Sequence, residues 1–254
     1  MVTRMPILMY HNLDEEASPI SLRPERFAWQ MRCLHERGYR VVQLGEIVRR
    51  LRAGQPLSRK EVAITFDDGF ESVYQLALPI LSRYGFTATV FLVPPYCGKT
   101  NTWPDQPPGM PSYPLMSWAQ IRELDRSEIE IGAHGLNHRR LDRLPHEEAK
   151  DEVLGSKARI EDRLGHTIRY FAYPYGRYNA GVQAIVRQAF RGAVAAHPGL
   201  AGNGNDPWAL PRIDAYYVAR SSLFRQMDNR FFGLYLGFRR SLRSIASWLL
   251  RRQW

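Results

Sequence analysis

Short apolar runs alternate along the chain with longer segments in which apolar residues recur at helical spacing. The strand-like runs lie near residues 6–11, 39–42, 62–66, 87–93, 129–133, 170–173 and 192–196. The helix-like segments begin near Pro24 and Ser117 and cover about 46–52, 72–84, 147–164 and 180–189. Strands that are apolar on both faces indicate a parallel sheet covered by helices. The alternation predicts an α/β fold, a distorted (β/α) barrel of about seven strands.

The length of the chain favours a single catalytic domain. Its 254 residues allow one large hydrophobic core, and α/β barrels often use such a length as one domain. We expect this domain to span residues 1–219. Within it, a loop rich in proline and glycine covers 94–114, and loops of this length are often functional. Ser117 and Gln120 then predict a capping box at the start of the next helix.

Two adjacent carboxylates follow one of the apolar strands. Asp67 and Asp68, in the sequence TFDDG at 65–69, come where β/α proteins tend to place their active sites. Taken alone, this sequence is equally typical of an Asp-Gly turn with a helix N-cap.

A pair of histidines follows another apolar strand. His134 and His138, in the sequence HGLNH, converge on one ion if the segment between them curls into a turn. Such a pair also arises by chance in a chain with seven histidines. Two neutral imidazoles with one carboxylate suit zinc or a similar divalent ion, and a second aspartate is then available to accept a proton.

A third strand ends in the aromatic turn FAYPYGRYN, residues 171–179. The proline and glycine predict a rigid turn, and aromatic faces stack well on sugar rings. The alternative is a buried turn with core tyrosines.

These three motifs, in this order, resemble those of the polysaccharide deacetylases with a NodB-like domain, the family 4 carbohydrate esterases. The first family motif resembles residues 65–69, the second 134–138 and the third 173–176. The resemblance implies metal-dependent hydrolysis of an N-acetyl group from an amino sugar. The substrate would be a polysaccharide, an oligosaccharide or a lipid-linked glycan, in surface polysaccharide or glycolipid biosynthesis.

The resemblance also implies roles for individual residues. Asp67 would be the general base, while Asp68, His134 and His138 would hold a divalent metal. Zinc is the expected ion, with Co²⁺, Ni²⁺ and Fe²⁺ left open. Tyr175 would lend its backbone N–H to the oxyanion that forms when water attacks the amide carbonyl.

One departure from the family pattern concerns the arginine that orients the base. The third motif usually carries an arginine where this chain has Ala172. Arg212 is the expected substitute, and a surface ion pair is the alternative for that residue.

A second departure concerns the histidine that protonates the leaving amine. His197 is the only histidine after the third motif, and it lacks the surrounding family pattern. His11, at the end of the first strand, resembles the circularly permuted arrangement of the poly-N-acetylglucosamine deacetylase branch. We therefore expect His11 to be the general acid.

The charge of the chain is concentrated at its end. Residues 220–254 hold eight arginines and one aspartate, so this segment supplies +7 of the net +10. Because the basic residues lie away from the motifs, the charge argues against a nucleic-acid partner. From Phe231 to Leu249, apolar residues recur at alternating steps of four and three, which predicts an amphipathic helix. This tail either packs on the barrel or contacts a membrane surface through residues 231–254, because its apolar runs are too short to span one.

The chain begins without the apolar segment of a secretory signal, so we expect a cytoplasmic enzyme, peripheral on the inner face of the membrane if the tail binds there. Two other function classes remain. A different metal hydrolase, such as a phosphoesterase, would need more cationic groups near the metal. A non-catalytic glycan- or membrane-binding module is suggested by the missing arginine and the tail, although the intact Asp67 and His11 argue against it.

Overall fold

Seven parallel strands form a closed barrel in this computed structural model, which describes residues 4–16, 18, 20–219, 221–229 and 232–237. The barrel strands are β1 (Ile7–Tyr10), β2 (Glu61–Phe66), β3 (Thr89–Leu92), β4 (Glu130–Ala133), β5 (Tyr170–Ala172), β6 (Gly192–Pro198) and β7 (Leu210–Asp214). They lie side by side in chain order, and β1 pairs with both β2 and β7, which closes the ring. The predicted barrel is confirmed.

One strand of the ring was not identified from the hydrophobic pattern. We predicted a strand at 39–42, but only Arg40–Val41 forms, and it pairs with the first residues of β2 outside the ring. The seventh place belongs to β7, where Pro211 and Arg212 interrupt the apolar run and proline is unusual inside a sheet. The side chain of Arg212 is nevertheless buried.

Helices connect the strands and cover the outside of the barrel. They are α1 (Pro24–Glu36), α2 (Leu44–Arg52), α3 (Leu78–Arg83), α4 (Trp118–Arg126), α5 (His146–Leu164), α6 (Ala180–Ala189) and α7 (Ser221–Phe224). The helix predicted at 72–84 is divided into a π-helix, Val73–Ala77, followed by α3. We attribute the division to Pro79, which has no N–H to donate to the carbonyl of Gln75. Single 3-10 turns cover Pro94–Tyr96, Leu141–Arg143 and Pro174–Gly176.

The hydrophobic core has an inner and an outer part. Side chains inside the barrel pack with α2, which covers the N-terminal mouth. The barrel residues Ile7, Ala63, Phe91 and Val194 belong to one cluster with Ile47 and Val48 of α2. Alternate strand residues point outward and pack against the surrounding helices. α2 covers the N-terminal mouth, and the residues that directly follow the barrel strands lie at the opposite, C-terminal mouth.

A long loop, which we call the strap (residues 97–116), lies at the C-terminal mouth after β3. Its ends are pinned together because the N–H of Gly98 donates to the carbonyl of Met116 at 2.8 Å. Met116 in turn donates to the carbonyl of Gly69, in the loop after β2, at 2.9 Å. The predicted capping box then starts α4, with Gln120 N–H on the Ser117 hydroxyl at 3.3 Å and Ser117 N–H on the Gln120 side chain at 2.8 Å.

Two pairs of short strands flank the barrel. Arg4–Met5 pairs antiparallel with Ala201–Gly202, and Asn12–Leu13 pairs parallel with Ser21–Leu22. The second pair follows β1 directly and so fixes the chain immediately after His11.

The first part of the C-terminal segment packs on the barrel. Phe232 and Leu236, in a helical stretch over 232–237, are buried, and Asp228 pairs with Arg37 at 3.0 Å and Lys60 at 2.7 Å. Most of the predicted amphipathic tail, residues 238–254, lies outside the described residues, and the domain boundary at 219/220 stays a prediction. Among the helices that the structure describes, none combines the length and the apolar content needed to cross a membrane.

Candidate active site

Three side chains from two of the predicted motifs converge at the C-terminal mouth of the barrel. Asp68 follows β2, and His134 and His138 follow β4. One ligand atom from each of the three lies within 4.8 Å of the others. The Nε2 atoms of His134 and His138 are 3.5 Å and 3.3 Å from Oδ1 of Asp68. The predicted ligand set is therefore assembled in space.

The state of these groups fits a cation between them. Oδ1 of Asp68 is buried and has no hydrogen-bond partner among the described residues. Burial, with the neighbouring Asp67 charge, raises the pKa of Asp68 well above its usual range. Burial lowers the pKa of His134 to about 4 and, with His134 nearby, the pKa of His138 well below its ordinary value. A carboxylate facing two neutral imidazoles, all buried, is a donor set that a divalent ion satisfies.

The ring of His134 is oriented by a backbone carbonyl. Its Nδ1 lies 2.8 Å from the carbonyl oxygen of Ala172, which leaves Nε2 directed at Asp68. Metal-binding histidines usually engage a second partner in this way. Ala172 thus serves the site through its backbone, at the position where the family motif carries an arginine side chain.

The turn between the two histidines is held by a carboxylate that the sequence did not indicate. Glu152, buried on α5, accepts the backbone N–H groups of Leu136 and Asn137 at 3.0 Å and 2.8 Å. It also accepts the side-chain amide of Asn137 at 2.7 Å. No motif marks Glu152, which lies inside a helix on its buried face.

Backbone strain is concentrated at the site. Four non-glycine residues have positive φ in the described part of the chain, and three of them are Asp68 (72°), His138 (53°) and Tyr175 (58°). Each such residue costs about 1–3 kcal/mol and persists only where the surroundings impose it. Gly176 also has positive φ, and a Cβ atom there would lie 2.4 Å from the Cβ of Ala196, so the turn requires glycine.

In the structure Arg212, the expected substitute for the family's arginine, is the hydrogen-bond partner of Asp67. Nη1 and Nη2 of Arg212 donate to the two carboxylate oxygens of Asp67, each at 2.7 Å. The same guanidinium donates to the hydroxyl of Thr65 and the carbonyl of Ala195, both at 3.1 Å. Arg212 is only 1% exposed, so the alternative of a surface ion pair is wrong.

The charge on Asp67 follows from this contact. Burial alone would raise the pKa of the carboxyl, but the Arg212 guanidinium, assisted by His134, holds that pKa well below its usual range. Asp67 is therefore ionised although it is buried.

Of the two candidate acid histidines, only His11 lies at this site. Its Nε2 is 3.9 Å from Oδ2 of Asp67, and its side chain is 20% exposed. It lines the same cavity as the three candidate metal ligands. His197 lines a different cavity, with Arg4, Pro211 and Leu236. The structure therefore does not bring His197 to the site.

The third motif contributes one aromatic side chain to the cavity. Tyr175 lines it, and its hydroxyl donates to the carbonyl of Asp105 in the strap at 2.8 Å. Tyr173 instead is buried in the core, stacked on Tyr178, and its hydroxyl donates to the carbonyl of Trp208. Tyr175 therefore lies in the cavity wall, where stacking on a sugar ring stays a prediction, and the alternative of a core tyrosine is correct for Tyr173.

The cavity over these groups has a volume of about 210 Å³. Its lining includes residues that the sequence did not mark: Ile20, Asn101, Trp103, Gln106, Pro107, Met110 and Asp214. Five of these come from the strap, which follows a barrel strand at the same mouth as the motifs. That position was the available signal, because loops after parallel strands share one end of a barrel.

The sequence profile of the polysaccharide deacetylase family matches residues 54–191, which is more than half of the chain. The matched range contains all three motifs. His11 and Arg212 lie outside it.

Two deacetylases of known name are similar in sequence to this chain. The poly-beta-1,6-N-acetyl-D-glucosamine N-deacetylase of Escherichia coli (strain K12) is 31% identical over 147 residues, 51% of this chain and 20% of that protein. The enzyme of the same name from Staphylococcus aureus (strain MSSA476) is 23% identical over 237 residues, 87% of this chain and 77% of that protein.

A solved structure shares the fold. The Streptococcus pyogenes deacetylase PplD, in complex with acetate, superposes with a TM-score of 0.73 and 26% identity. The match covers 84% of this chain and 93% of that one.

Proposed function

Because the chain belongs to the polysaccharide deacetylase family, we propose that it removes N-acetyl groups from a polymer of β-1,6-linked N-acetyl-D-glucosamine. The reaction class is that of the family, metal-dependent hydrolysis of an N-acetyl group on a carbohydrate. The choice of polymer is supported by the two relatives whose names specify poly-beta-1,6-N-acetyl-D-glucosamine.

We assign the metal site to Asp68, His134 and His138, and propose zinc as the ion because one carboxylate and two imidazoles suit it. When bound, a divalent ion supplies Lewis-acid chemistry, which polarises the amide carbonyl and lowers the pKa of the attacking water.

Asp67 is proposed as the general base. Arg212 keeps this carboxylate ionised and fixes its plane through two hydrogen bonds, while Oδ2 remains near His11 and His134, both at 3.9 Å. An oriented, ionised carboxylate beside the metal ligands is placed to take a proton from water as it attacks the carbonyl carbon.

His11 is proposed as the general acid. The C–N bond of the amide breaks as the tetrahedral intermediate collapses, and the leaving amine needs a proton at that step. His11 follows β1, which pairs with one side of β2, whereas the histidine ligands follow β4, on the other side of β2. His11 lines the same cavity and is partly exposed. The backbone N–H of Tyr175 is proposed as a donor to the oxyanion of that intermediate.

The bidentate contact between Asp67 and Arg212 is the observation that carries this assignment. A binding module without catalysis has no use for a buried, ionised carboxylate held beside three ligand groups. A phosphoesterase needs cationic side chains that face its substrate. Among the described residues that line the cavity, none is lysine or arginine.

The proposal is tested by acetate release from a set of acetamido sugars. Purified protein loaded with zinc or cobalt is expected to act fastest on β-1,6-linked N-acetylglucosamine oligomers, and β-1,4-linked oligomers of equal length are the matched control. A chelator should abolish release, and added metal should restore it. Equal rates on both linkages would contradict the proposed polymer, and binding of these glycans without any release would favour the binding module.

Within the predicted tail, residues 231–254, we further propose that the part beyond the packed stretch, residues 238–254, contacts the inner face of a membrane, where a polymer under synthesis or a lipid-linked glycan would be met. The support is the spacing of apolar residues and arginines in the sequence. A cytoplasmic location belongs to the same proposal.

A further inference from the structure

The two candidate metal-binding histidines are held in different ways. His134 has the usual second partner, because its Nδ1 lies 2.8 Å from the Ala172 carbonyl. Nδ1 of His138 is buried and has no hydrogen-bond partner among the residues that the structure describes. A metal ligand that lacks this second hydrogen bond needs another means of fixing its ring.

Aromatic rings surround His138 instead. The ring of Trp103 lies 4.3 Å from it, centroid to centroid, at an interplanar angle of 35°. Tyr175 contacts it at 4.6 Å and 64°, and His134 at 4.8 Å and 64°. These contacts leave the imidazole little freedom to rotate, and with the ring in this position Nε2 lies 3.3 Å from Oδ1 of Asp68.

Trp103 is itself firmly placed. It is 5% exposed and packs edge-on against Tyr96 at 5.7 Å. Two residues earlier in the strap, the buried side chain of Asn101 donates to the Pro111 carbonyl at 3.1 Å and accepts the N–H of Tyr113 at 2.6 Å.

The strap is also hydrogen-bonded to the loop after β4, which carries His138, and to the turn after β5, which carries Tyr175. The carbonyl of Asp105 accepts the Tyr175 hydroxyl, and the Asp105 carboxylate accepts the backbone N–H of Arg140 at 2.8 Å, two residues after His138. The indole ring is therefore fixed relative to the loop that carries His138.

We infer that Trp103 is a positioning residue for the metal ligand His138, and that its ring face replaces the hydrogen bond that His138 lacks. The inference rests on the proposed function only in taking Asp68, His134 and His138 as metal ligands. It assigns to the strap a part in metal binding, in addition to its place in the cavity wall.

The test measures metal binding without substrate. In Trp103→Ala the affinity for cobalt, determined by competition with a chelator, is expected to fall by about 10- to 100-fold, the range seen when outer partners of metal ligands are removed. The visible absorption spectrum of bound cobalt should change as well, because it reports ligand geometry. Trp103→Phe keeps a ring face against His138 and should recover most of the affinity and the wild-type spectrum.

Trp118→Ala is the matched control. Trp118 is half-buried at the start of α4, where its ring contacts Arg163, and it does not line the cavity. Both alanine variants are expected to lower the Tm of the metal-free protein, but only Trp103→Ala should weaken cobalt binding.

Unchanged cobalt affinity and spectrum in Trp103→Ala would overturn the inference, and so would equal losses in the two alanine variants. These outcomes are separate from failure of the proposed function, in which the wild-type protein binds metal and releases no acetate.

Discussion

At the scale of single residues, the site depends on one contact between distant parts of the chain. Arg212 on β7 holds Asp67 at the end of β2 through two hydrogen bonds of 2.7 Å. A buried carboxylate without this partner would lose its charge or its place. The contact explains how the carboxylate of Asp67, the proposed base, is oriented although Ala172 stands where the family motif carries its arginine.

Two replacements of Arg212 should distinguish the effect of its positive charge from the effect of its two hydrogen bonds to Asp67. Arg212→Lys keeps a cation but cannot bond both oxygens of Asp67, so acetate release should fall on the order of 100-fold while the fold is retained. Arg212→Met leaves the carboxylate buried without a cation, which should cost about 3–5 kcal/mol of unfolding free energy at neutral pH.

The loss of unfolding free energy in Arg212→Met should depend on pH. Arg212 lowers the pKa of Asp67, so the stability from this pair is present above the unfolded carboxyl pKa of about 3.9 and is lost as the pH falls through the lower folded value. In the variant the pKa of Asp67 rises, and protonation removes the cost of the buried charge at low pH. Urea unfolding should therefore show a difference between the two proteins that narrows from pH 7 towards pH 4. A difference that does not change with pH would contradict this account.

Short motifs marked the candidate ligands and the candidate base, and the resemblance to the family gave each its expected role. Asp67, Asp68, His134 and His138 lie in short motifs, each directly after an apolar strand, so local sequence fixes where they emerge. The partners of these residues were harder to predict. Arg212 was found only because a missing arginine had to be replaced, and Glu152 and Trp103 act through tertiary contacts that leave no local pattern.

At the scale of elements, apolar periodicity identified six of the seven barrel strands and the helices between them. It did not identify β7, because Pro211 and Arg212 break the apolar run. Arg212 contacts Asp67 from this strand. The residue that holds the candidate base therefore also interrupts the apolar pattern by which the strand would be identified. The site thus accounts for the failure of the pattern at this element.

The strap is the other element whose role the sequence left open. Its composition predicted a loop, and its length suggested a function, but its side-chain contacts depend on the three-dimensional arrangement of the mouth. Trp103 faces His138, while Gln106 and Met110 line the cavity. A loop between β3 and α4 is thereby part of the wall over the candidate metal ligands.

At the scale of the whole molecule, the two ends of the barrel differ: one is closed by apolar packing and the other carries the candidate site. α2 covers the N-terminal mouth, and every candidate catalytic or metal-binding residue lies at the C-terminal mouth. The C-terminal segment has a first part that belongs to the core, because Phe232 and Leu236 are buried. A test of the tail must therefore leave these two residues in place.

Truncation after Gly237 removes five arginines and keeps both buried residues. If the tail contacts a membrane surface, sedimentation with vesicles that contain anionic lipid should fall, since each arginine contributes about 1 kcal/mol near such a surface. Vesicles of neutral lipid are the control, and acetate release from soluble oligomers should be unchanged. Equal sedimentation of the truncated and full-length chains would discard the membrane proposal.

We propose that Asp67 is the base of a metal-dependent deacetylase whose ion is held by Asp68, His134 and His138. The decisive measurement is acetate release from a β-1,6-linked N-acetylglucosamine oligomer by the wild-type protein and by Asp67→Asn, at equal and measured metal content. We predict about one ion per chain in both proteins, with acetate released by the wild type and turnover abolished in the variant. Acetate release by Asp67→Asn at the wild-type rate, or none by the metal-loaded wild type from any acetamido sugar, would contradict the claim.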